Sequence, residues 1–336
     1  MADVVLAQGL ARYIELMRPQ GDKPRTLSAE RLRSDLNASD LRDASGKVFK
    51  KGFLPGEEIP EAGETRPAGG LKTFTTFIVR DGQEIAVRLY HPGAQIQRPG
   101  MCYFHGGGFT FGSIESFDVV AAGLAEHTGA VVASVQYRRL PENSYRSAQE
   151  DCYAALVWLH DHADDLRIDP SRMAVAGDSV GALLATISSA MARDRDGPRL
   201  VCQLLMYGAF ALQPSRACYS SSRDPLLTSD RVASFISVYH QQQDASFYPP
   251  PLGLSDLSGL PPAIIVTAEH DPLREEGFEY AERLRSAGVP VETATASGMI
   301  HGFLRAMKMS PEASRHMKSI AQSAREHLWP IAGEQQ

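Results

Sequence analysis

The strongest constraint on the fold is a glycine-flanked serine between an apolar run and a helix-like run. The sequence from Ala174 reads AVAGDSVGALLA, in which Gly177, Ser179 and Gly181 form the pattern G-x-S-x-G. A serine on a tight turn between a strand and a helix exposes its hydroxyl. Neighbouring backbone segments lie so close together at such a turn that the residues two positions before and after the serine must be small. Taken alone, the pattern also fits a glycine-rich turn with an incidental serine.

Strand-like and helix-like runs alternate through most of the chain. Five short, almost continuously apolar runs predict buried strands at 101–104, 130–136, 173–176, 200–206 and 263–268. Helical spacing or capping residues predict helices at 147–162, 183–191, 272–287 and from Pro311. Asp81-Gly82 between β-rich runs at 74–80 and 84–90 predicts a hairpin. The alternation indicates an α/β fold with a mostly parallel sheet covered on both faces.

Two segments, at the N-terminus and at 208–259, depart from this alternation. In the first, we predict helices within 2–17 and after Ser28, and a loop at 37–71. The second segment holds a helix-like run at 229–239 and several aromatic side chains, which line a ligand pocket or fasten a small lid to the core. The predicted division is an N-terminal cap segment at 1–70, a core at 71–207 and 260–336, and a cap insertion at 208–259.

Composition narrows the class of protein. The 336 residues are 43% hydrophobic and 22% charged, as in globular domains, and the net charge of −6 gives no reason to expect a nucleic acid or an anionic membrane as partner. The four cysteines lack C-x-x-C or zinc-ligand spacing, so we expect reduced thiols. The N-terminal stretch carries Asp3 and no basic region, so we expect no signal peptide and a cytoplasmic protein.

A serine nucleophile needs a base, and that base should follow a later strand, because ligands of open α/β sheets bind at the carboxyl ends of the strands. Five histidines follow Ser179: His240, His270, His301, His316 and His327. We favour His301, which lies in a loop after the predicted strand at 289–296 with glycines on either side that free the backbone. His270 is adjacent to Asp271, too close for a productive pair on one turn.

The acid that orients the base has two candidates, Glu269 and Asp271, which both follow the predicted strand at 263–268. Asp271 precedes Pro272, so it also fits an ordinary helix N-cap. The two roles are compatible, and we favour Asp271.

The glycines after the strand at 101–104 fit a third requirement, donors for a developing oxyanion. Gly106, Gly107 and Gly108 supply exposed amides, and the amide of Val180 follows the serine. A phosphate-binding loop is disfavoured because no G-K-[ST] follows. His105 has no second metal ligand at matching spacing, so we expect it to hold the loop by a hydrogen bond. We predict no metal and no cofactor.

Five stretches together resemble the hormone-sensitive-lipase-like family of α/β hydrolases. They are HGGGF at 105–109, YRRLPEN from Tyr137, GDSVGA at 177–182, DPLREEG at 271–277 and HGF at 301–303. The resemblance implies the α/β-hydrolase fold, with an eight-stranded sheet, flanking helices and a helical cap built from the N-terminal helices and the insertion. It also implies cofactor-free carboxylesterase activity, with Gly107, Gly108 and Val180 as oxyanion donors, and pairing of two copies through the last edge strand.

The chain departs from the family pattern at a few positions. Val180, Gly181 and Ala182 stand where the family usually has Ala-Gly-Gly, and Arg139 is an extra residue before Leu140. We expect Val180 to narrow the acyl side of the site or to change the rate. Glu142 matches a family glutamate near the site, and we expect a structural role for it.

These observations predict a serine hydrolase that acts on small or short-acyl carboxylic esters. Ser179 is the expected nucleophile, His301 the base and Asp271 the acid. Two alternatives stay open: the same three residues acting on an amide, lactone or carbamate, and a non-catalytic small-ligand-binding protein on a hydrolase scaffold.

Overall fold

The computed structural model describes residues 6–17, 41–42, 48–49, 71–93, 96–220, 222–242 and 247–330. The strands are β1 (Leu41–Arg42), β2 (Val48–Phe49), β3 (Lys72–Arg80), β4 (Gln83–His91), β5 (Arg98–Phe104), β6 (Val131–Val135), β7 (Ile168–Asp178), β8 (Leu200–Met206), β9 (Ala263–Ala268) and β10 (Val291–Ala296). The helices are α1 (Leu10–Met17), α2 (Asp118–Thr128), α3 (Tyr145–Asp161), α4 (Val180–Asp194), α5 (Ala217–Ser220), α6 (Ser229–Gln242), α7 (Arg274–Ser286) and α8 (Pro311–Leu328).

Eight strands form one sheet, in the order β10-β9-β8-β7-β5-β6-β4-β3. All neighbours pair in parallel except β3 with β4 and β4 with β6. Asp81 and Gly82 turn the hairpin between β3 and β4, and the left-handed φ of 71° at Gly82 is the reason glycine suits that place. The predicted α/β class, the mostly parallel sheet and the antiparallel edge are confirmed.

Two apolar clusters cover the two faces of the sheet. Side chains alternate along β5, so Cys102 and Phe104 contribute to one cluster while Met101 and Tyr103 contribute to the other. Helices α3, α4 and α7 supply the first cluster, and α1, α2 and α8 supply the second. The parallel strands are therefore buried on both sides, which explains their continuous apolar runs.

Several predicted elements differ from those observed. Helix α2 was not predicted, because seven of its eleven residues are buried and no polar face reveals its period. Helix α4 begins at Val180 rather than at 183. Helix α1 covers 10–17 within the predicted 2–17, residues 6–9 are not helical, and residues 2–5 lie outside the described residues. In the predicted loop at 37–71, β1 and β2 pair as a short antiparallel ladder. The helix predicted after Ser28 lies outside the described residues.

A buried carboxylate attaches the insertion to the core. Glu276 on α7 is fully buried and accepts the amide hydrogens of Phe210 and Ala211 at 2.6 and 2.7 Å. It also accepts the hydroxyl of Tyr219, and Arg216 lies 4.0 Å away. Burial raises the pKa of Glu276, while these donors oppose that rise. The start of the insertion is thus fixed to a core helix by three hydrogen bonds and one longer ion-pair contact that converge on one side chain.

Replacing Glu276 with Gln tests this attachment. The substitution keeps the size of the side chain but turns one acceptor into a donor that faces backbone amides. We expect the free energy of unfolding at about pH 8 to fall by about 2–4 kcal/mol in chemical denaturation. Glu279→Gln is the matched control on the same helix, because Glu279 pairs with Arg216 at the surface, and it should cost less than about 1 kcal/mol. Equal losses in the two variants would contradict the role given to Glu276.

Candidate active site

Ser179 occupies the sharp turn between β7 and α4. Its φ of 56° and ψ of −123° are strained for a residue with a side chain. The turn is possible because glycines flank it. A Cβ on Gly177 would lie 2.1 Å from the carbonyl oxygen of Gly181, and a Cβ on Gly181 would lie 1.9 Å from that of Phe104. The turn therefore requires glycine at both positions and presents the hydroxyl at the carboxyl end of β7.

The structure brings Ser179, His301 and Asp271 together. The Ser179 hydroxyl lies 2.8 Å from Nε2 of His301, and Nδ1 of His301 lies 2.7 Å from Oδ2 of Asp271. Asp271 follows β9, His301 follows β10 and Ser179 follows β7, so all three side chains lie beyond the carboxyl ends of parallel strands of one sheet. With the ring proton on Nδ1, Nε2 is free to accept the serine proton.

Asp271 is not the N-cap that the sequence suggested. Helix α7 begins at Arg274 with Leu273 as its N-cap, so the helix starts later than predicted. The Oδ1 atom of Asp271 instead accepts the amide of Leu273 at 2.8 Å, which holds the carboxylate while Oδ2 faces His301. Glu269, the other acid candidate, accepts the amide of Gly298 at 2.8 Å and supports the histidine loop from the outside.

The pKa of His301 reflects the carboxylates around it. Burial acts to lower it, but the charges of Asp271, Asp224 and Asp178 outweigh burial and raise the pKa above its ordinary value. The ring also meets Tyr207 edge-on at 5.2 Å. The carboxylates therefore stabilise the imidazolium relative to that of an ordinary histidine, and the imidazolium is the form that a general base takes after it accepts a proton.

Gly107 and Gly108 have φ of 123° and 57°, so their turn requires glycine. Among the described residues, the amides of Gly107, Gly108 and Val180 donate to no protein acceptor. Gly106 differs from the expectation, because its amide donates to Oδ1 of Asp178 at 2.9 Å and is already occupied. The candidate donors for an oxyanion are thus Gly107, Gly108 and Val180, the last at the positive end of α4.

Asp178 holds the glycine loop against the serine turn. Its Oδ1 also accepts the hydroxyl of Tyr103 at 2.6 Å. Burial raises the pKa of Asp178 to about 6, although the hydrogen bonds from Tyr103 and Gly106 and the charges of His301 and Arg305 act in the opposite direction. One carboxylate therefore ties the loop after β5 to the end of β7.

His105 holds the loop, as expected from the sequence. Its Nδ1 lies 2.8 Å from the carbonyl oxygen of Gly106, and its ring stacks between Tyr137 and Phe117. Burial lowers the pKa of His105 to about 4, so the ring is neutral. Within the residues described by the structure, no cluster of three or more His, Cys, Asp or Glu side chains could hold a metal ion. No helix in that part of the chain is long and apolar enough to span a membrane.

Asp224 in the insertion is a site residue that the sequence analysis missed. It is buried, its Oδ1 accepts the amides of Leu226 and Leu227 at 2.8 Å each, and its Oδ2 accepts the amide of His301 at 2.6 Å. Burial and the charge of Asp271 raise its pKa. In the sequence, Asp224 stands before Pro225 in a polar stretch, which gives no indication of a role in the site. Folding brings it to His301, which is 77 positions away in the chain.

A cleft of about 630 Å³, part of it open to solvent, lies over Ser179 and His301. Its apolar lining comprises Tyr13, Met17, Phe111, Phe117, Leu226, Leu227 and Phe235. Phe235 of α6 packs directly on Gly108, so an insertion aromatic does line the pocket. Tyr239 instead packs edge-on against Tyr145 at 5.0 Å and fastens α6 to the core. Both expected uses of the insertion's aromatics occur.

Two residues singled out by the resemblance stay outside the cleft. The Val180 side chain is 3% exposed, packs into the core and does not line the cleft, contrary to the expectation that it narrows the acyl side. Its backbone amide, not its side chain, faces the site. Glu142 is exposed and does not line the cleft either.

A family model described as the alpha/beta hydrolase fold matches residues 101–305. Carboxylesterase NlhH of Mycobacterium tuberculosis is 41% identical over 238 residues, which are 69% of this chain and 75% of that protein. Ethyl acetate hydrolase of Pseudomonas putida is 32% identical over 332 residues, 95% of this chain and 98% of that protein. Among solved structures, an esterase from Pyrobaculum calidifontis superposes with a TM-score of 0.72 at 38% identity, covering 76% of this chain and 85% of that one.

The Asp224 contact predicts a measurable change in the titration of His301. Asp224→Asn removes a negative charge that raises the His301 pKa, so we expect that pKa to fall, as read from imidazole resonances in NMR titrations and assigned with His301→Asn. Asp256→Asn is the control, because Asp256 is an insertion carboxylate that also accepts a backbone amide but lies at the surface. An unchanged His301 pKa in Asp224→Asn would contradict the coupling.

Proposed function

This chain belongs to the hormone-sensitive-lipase-like family of α/β hydrolases, and on that premise we propose that it hydrolyses carboxylic esters through Ser179, His301 and Asp271. The observation that carries the proposal is the pair of hydrogen bonds, 2.8 and 2.7 Å long, that links the three side chains. The relatives named as a carboxylesterase and an ethyl acetate hydrolase support the choice of an ester bond.

The first chemical step forms an acyl-enzyme. The Ser179 oxygen attacks the ester carbonyl as Nε2 of His301 takes its proton, and Asp271 stabilises the resulting imidazolium. The tetrahedral intermediate collapses as His301 returns that proton to the leaving alcohol oxygen. The raised pKa of His301 suits this sequence, because the base must hold the proton until the alcohol leaves.

The amides of Gly107, Gly108 and Val180 would stabilise the oxyanion in both chemical steps. Each such donor contributes about a hundred- to a thousandfold to kcat. In the second step, water loses a proton to His301 as its oxygen attacks the acyl carbonyl. The bond to the Ser179 oxygen then breaks, His301 returns the proton to that oxygen, and the carboxylic acid leaves. Neither step requires a cofactor, since all the proton transfers take place among side chains of this chain, the substrate and water.

The cleft supports small or short-acyl substrates. Phe235 lies directly on Gly108, so it limits the space above the oxyanion donors. The surrounding lining is mainly apolar, which favours a short alkyl or aryl group. We infer that residues 1–70 and 208–259 act as the cap over this cleft and that the remaining residues form the catalytic core.

A small-molecule ester is the partner that this site supports, and the net charge of −6 favours neither nucleic acid nor an anionic membrane. Strand β10 is the edge of the sheet and leaves Glu292 to Thr295 exposed, so pairing of two copies through it stays a prediction, which the molar mass from light scattering would test. The cytoplasmic location also stays a prediction.

Hydrolysis of para-nitrophenyl esters from acetate to decanoate tests the proposed activity. We expect the highest kcat/KM with the short esters, and a fall of about 10⁴-fold or more in Ser179→Ala, because the nucleophile is lost. Ser188→Ala is the control, since Ser188 is a buried serine of α4, the helix that follows Ser179, and lies outside the cleft, so this variant should keep its activity.

Three outcomes would count against the proposal. Folded wild-type protein that hydrolyses none of the esters would favour a ligand-binding role. Equal activity in Ser179→Ala would remove Ser179 from the mechanism. Faster cleavage of the matched para-nitroanilides than of the esters would assign the same residues to amide bonds.

A further inference from the structure

The substrate cleft carries more positive charge than its chemistry requires. Two arginines, Arg231 and Arg305, line it together with Ser179 and His301, and Asp178 is the one carboxylate among its described lining residues. Hydrolysis of a neutral ester needs neither guanidinium. A guanidinium that lines a cleft attracts a ligand of the opposite charge.

Arg305 is held in place by two contacts. Its Nε donates to the carbonyl oxygen of Ser116 at 3.2 Å, and its Cζ lies 4.8 Å from the centre of the Phe117 ring. These contacts fix one edge and one face of the half-buried guanidinium. Arg305 lies in the short helical turn Phe303–Ala306, directly after the loop of His301.

The remaining edge of Arg305 is unused by the part of the chain that the structure describes. Within that part of the chain, the hydrogen bond of Arg305 is made by Nε, and neither terminal nitrogen takes part in a hydrogen bond or an ion pair. A guanidinium presents its two terminal nitrogens as parallel donors, which match the two oxygens of a carboxylate. Because Nε is already occupied, this end-on edge is the one that a ligand can use.

The neighbouring carboxylates are engaged elsewhere. Asp271 binds His301 and the amide of Leu273, and Asp224 accepts three backbone amides. Asp178 accepts the Tyr103 hydroxyl and the Gly106 amide. Arg231, on α6, donates to the carbonyl oxygen of Leu226 at 2.6 Å and adds a second positive charge on the insertion side of the cleft.

We propose that Arg305 binds a carboxylate of the substrate, so that the preferred esters carry a negative charge on the acyl or the alcohol portion. This rests on the proposed ester hydrolysis and narrows it to a substrate class. The apolar lining holds the hydrocarbon part of such an ester, and the bidentate contact orients its carbonyl toward Ser179.

Two matched substrate pairs test the proposal. The alcohol-side pair is para-acetoxyphenylacetate and para-acetoxyphenylacetamide. In both, the aromatic ring and a methylene group separate the ester from the carboxylate or the carboxamide. The acyl-side pair is the para-nitrophenyl monoester of adipic acid and its terminal carboxamide. Each pair differs by a carboxylate in place of a carboxamide of similar size, and the carboxylates are ionised at about pH 8.

In the wild type, we expect kcat/KM for the carboxylate to exceed that for the carboxamide by about tenfold in at least one pair, the size expected for one charge-assisted contact. The ratio should fall to about one in Arg305→Gln, lie between these values in Arg305→Lys, and decrease as salt is added. The control is Arg315→Gln on α8, whose side chain is 70% exposed, and it should keep the wild-type ratio.

The ratio is internal to each variant, so a partial loss of folded protein cancels, and Arg305→Lys serves if Arg305→Gln does not fold. Hydrolysis of the carboxamides with a wild-type ratio near one would overturn the anion subsite and leave the proposed function intact. A high ratio that persists in Arg305→Gln would also overturn it. No hydrolysis of any of the four esters would instead contradict the proposed function.

Discussion

The contact between glycine backbones at the end of β7 is the constraint on which the site depends. Gly177 and Gly181 pass so close to neighbouring carbonyl groups that any Cβ there would collide with backbone atoms. That proximity allows β7 to reverse into α4 within one residue and forces Ser179 into a strained conformation with its hydroxyl exposed. The same turn brings the amide of Val180 and the positive end of α4 to the face where an oxyanion would form.

Buried carboxylates then fix the loops around this turn. Asp178 holds the glycine loop, Asp224 holds the backbone of His301, and Glu276 holds the start of the insertion. In each case one acidic side chain accepts two or more hydrogen bonds, at least one of them from a backbone amide that its loop leaves unpaired, and these bonds stabilise the charge away from water. The insertion is therefore connected to the catalytic geometry through Asp224 as well as to the core through Glu276.

The sequence predicted the parts of the molecule that rest on local patterns. Strand β9 matched its predicted bounds, and the turn at Asp81-Gly82 matched because short-range chemistry determines a hairpin. The positions of Ser179, Asp271 and His301 followed from motifs after strands, and the structure brings all three together. Helix α2 was not predicted, because most of its surface is buried and its sequence therefore lacks an amphipathic period. Asp224, the occupied amide of Gly106 and the inward side chain of Val180 depend on contacts between distant segments, which no local pattern reports.

Covalent trapping of the nucleophile tests most directly whether His301 activates Ser179. Diethyl para-nitrophenyl phosphate transfers its phosphoryl group to an activated serine and releases para-nitrophenolate, so intact mass and peptide mapping report the modified residue. A single adduct per chain on Ser179, formed rapidly in the wild type and lost in His301→Ala, is the expected result. An adduct on another residue, or one that forms at the same rate without His301, would contradict the arrangement described for this site.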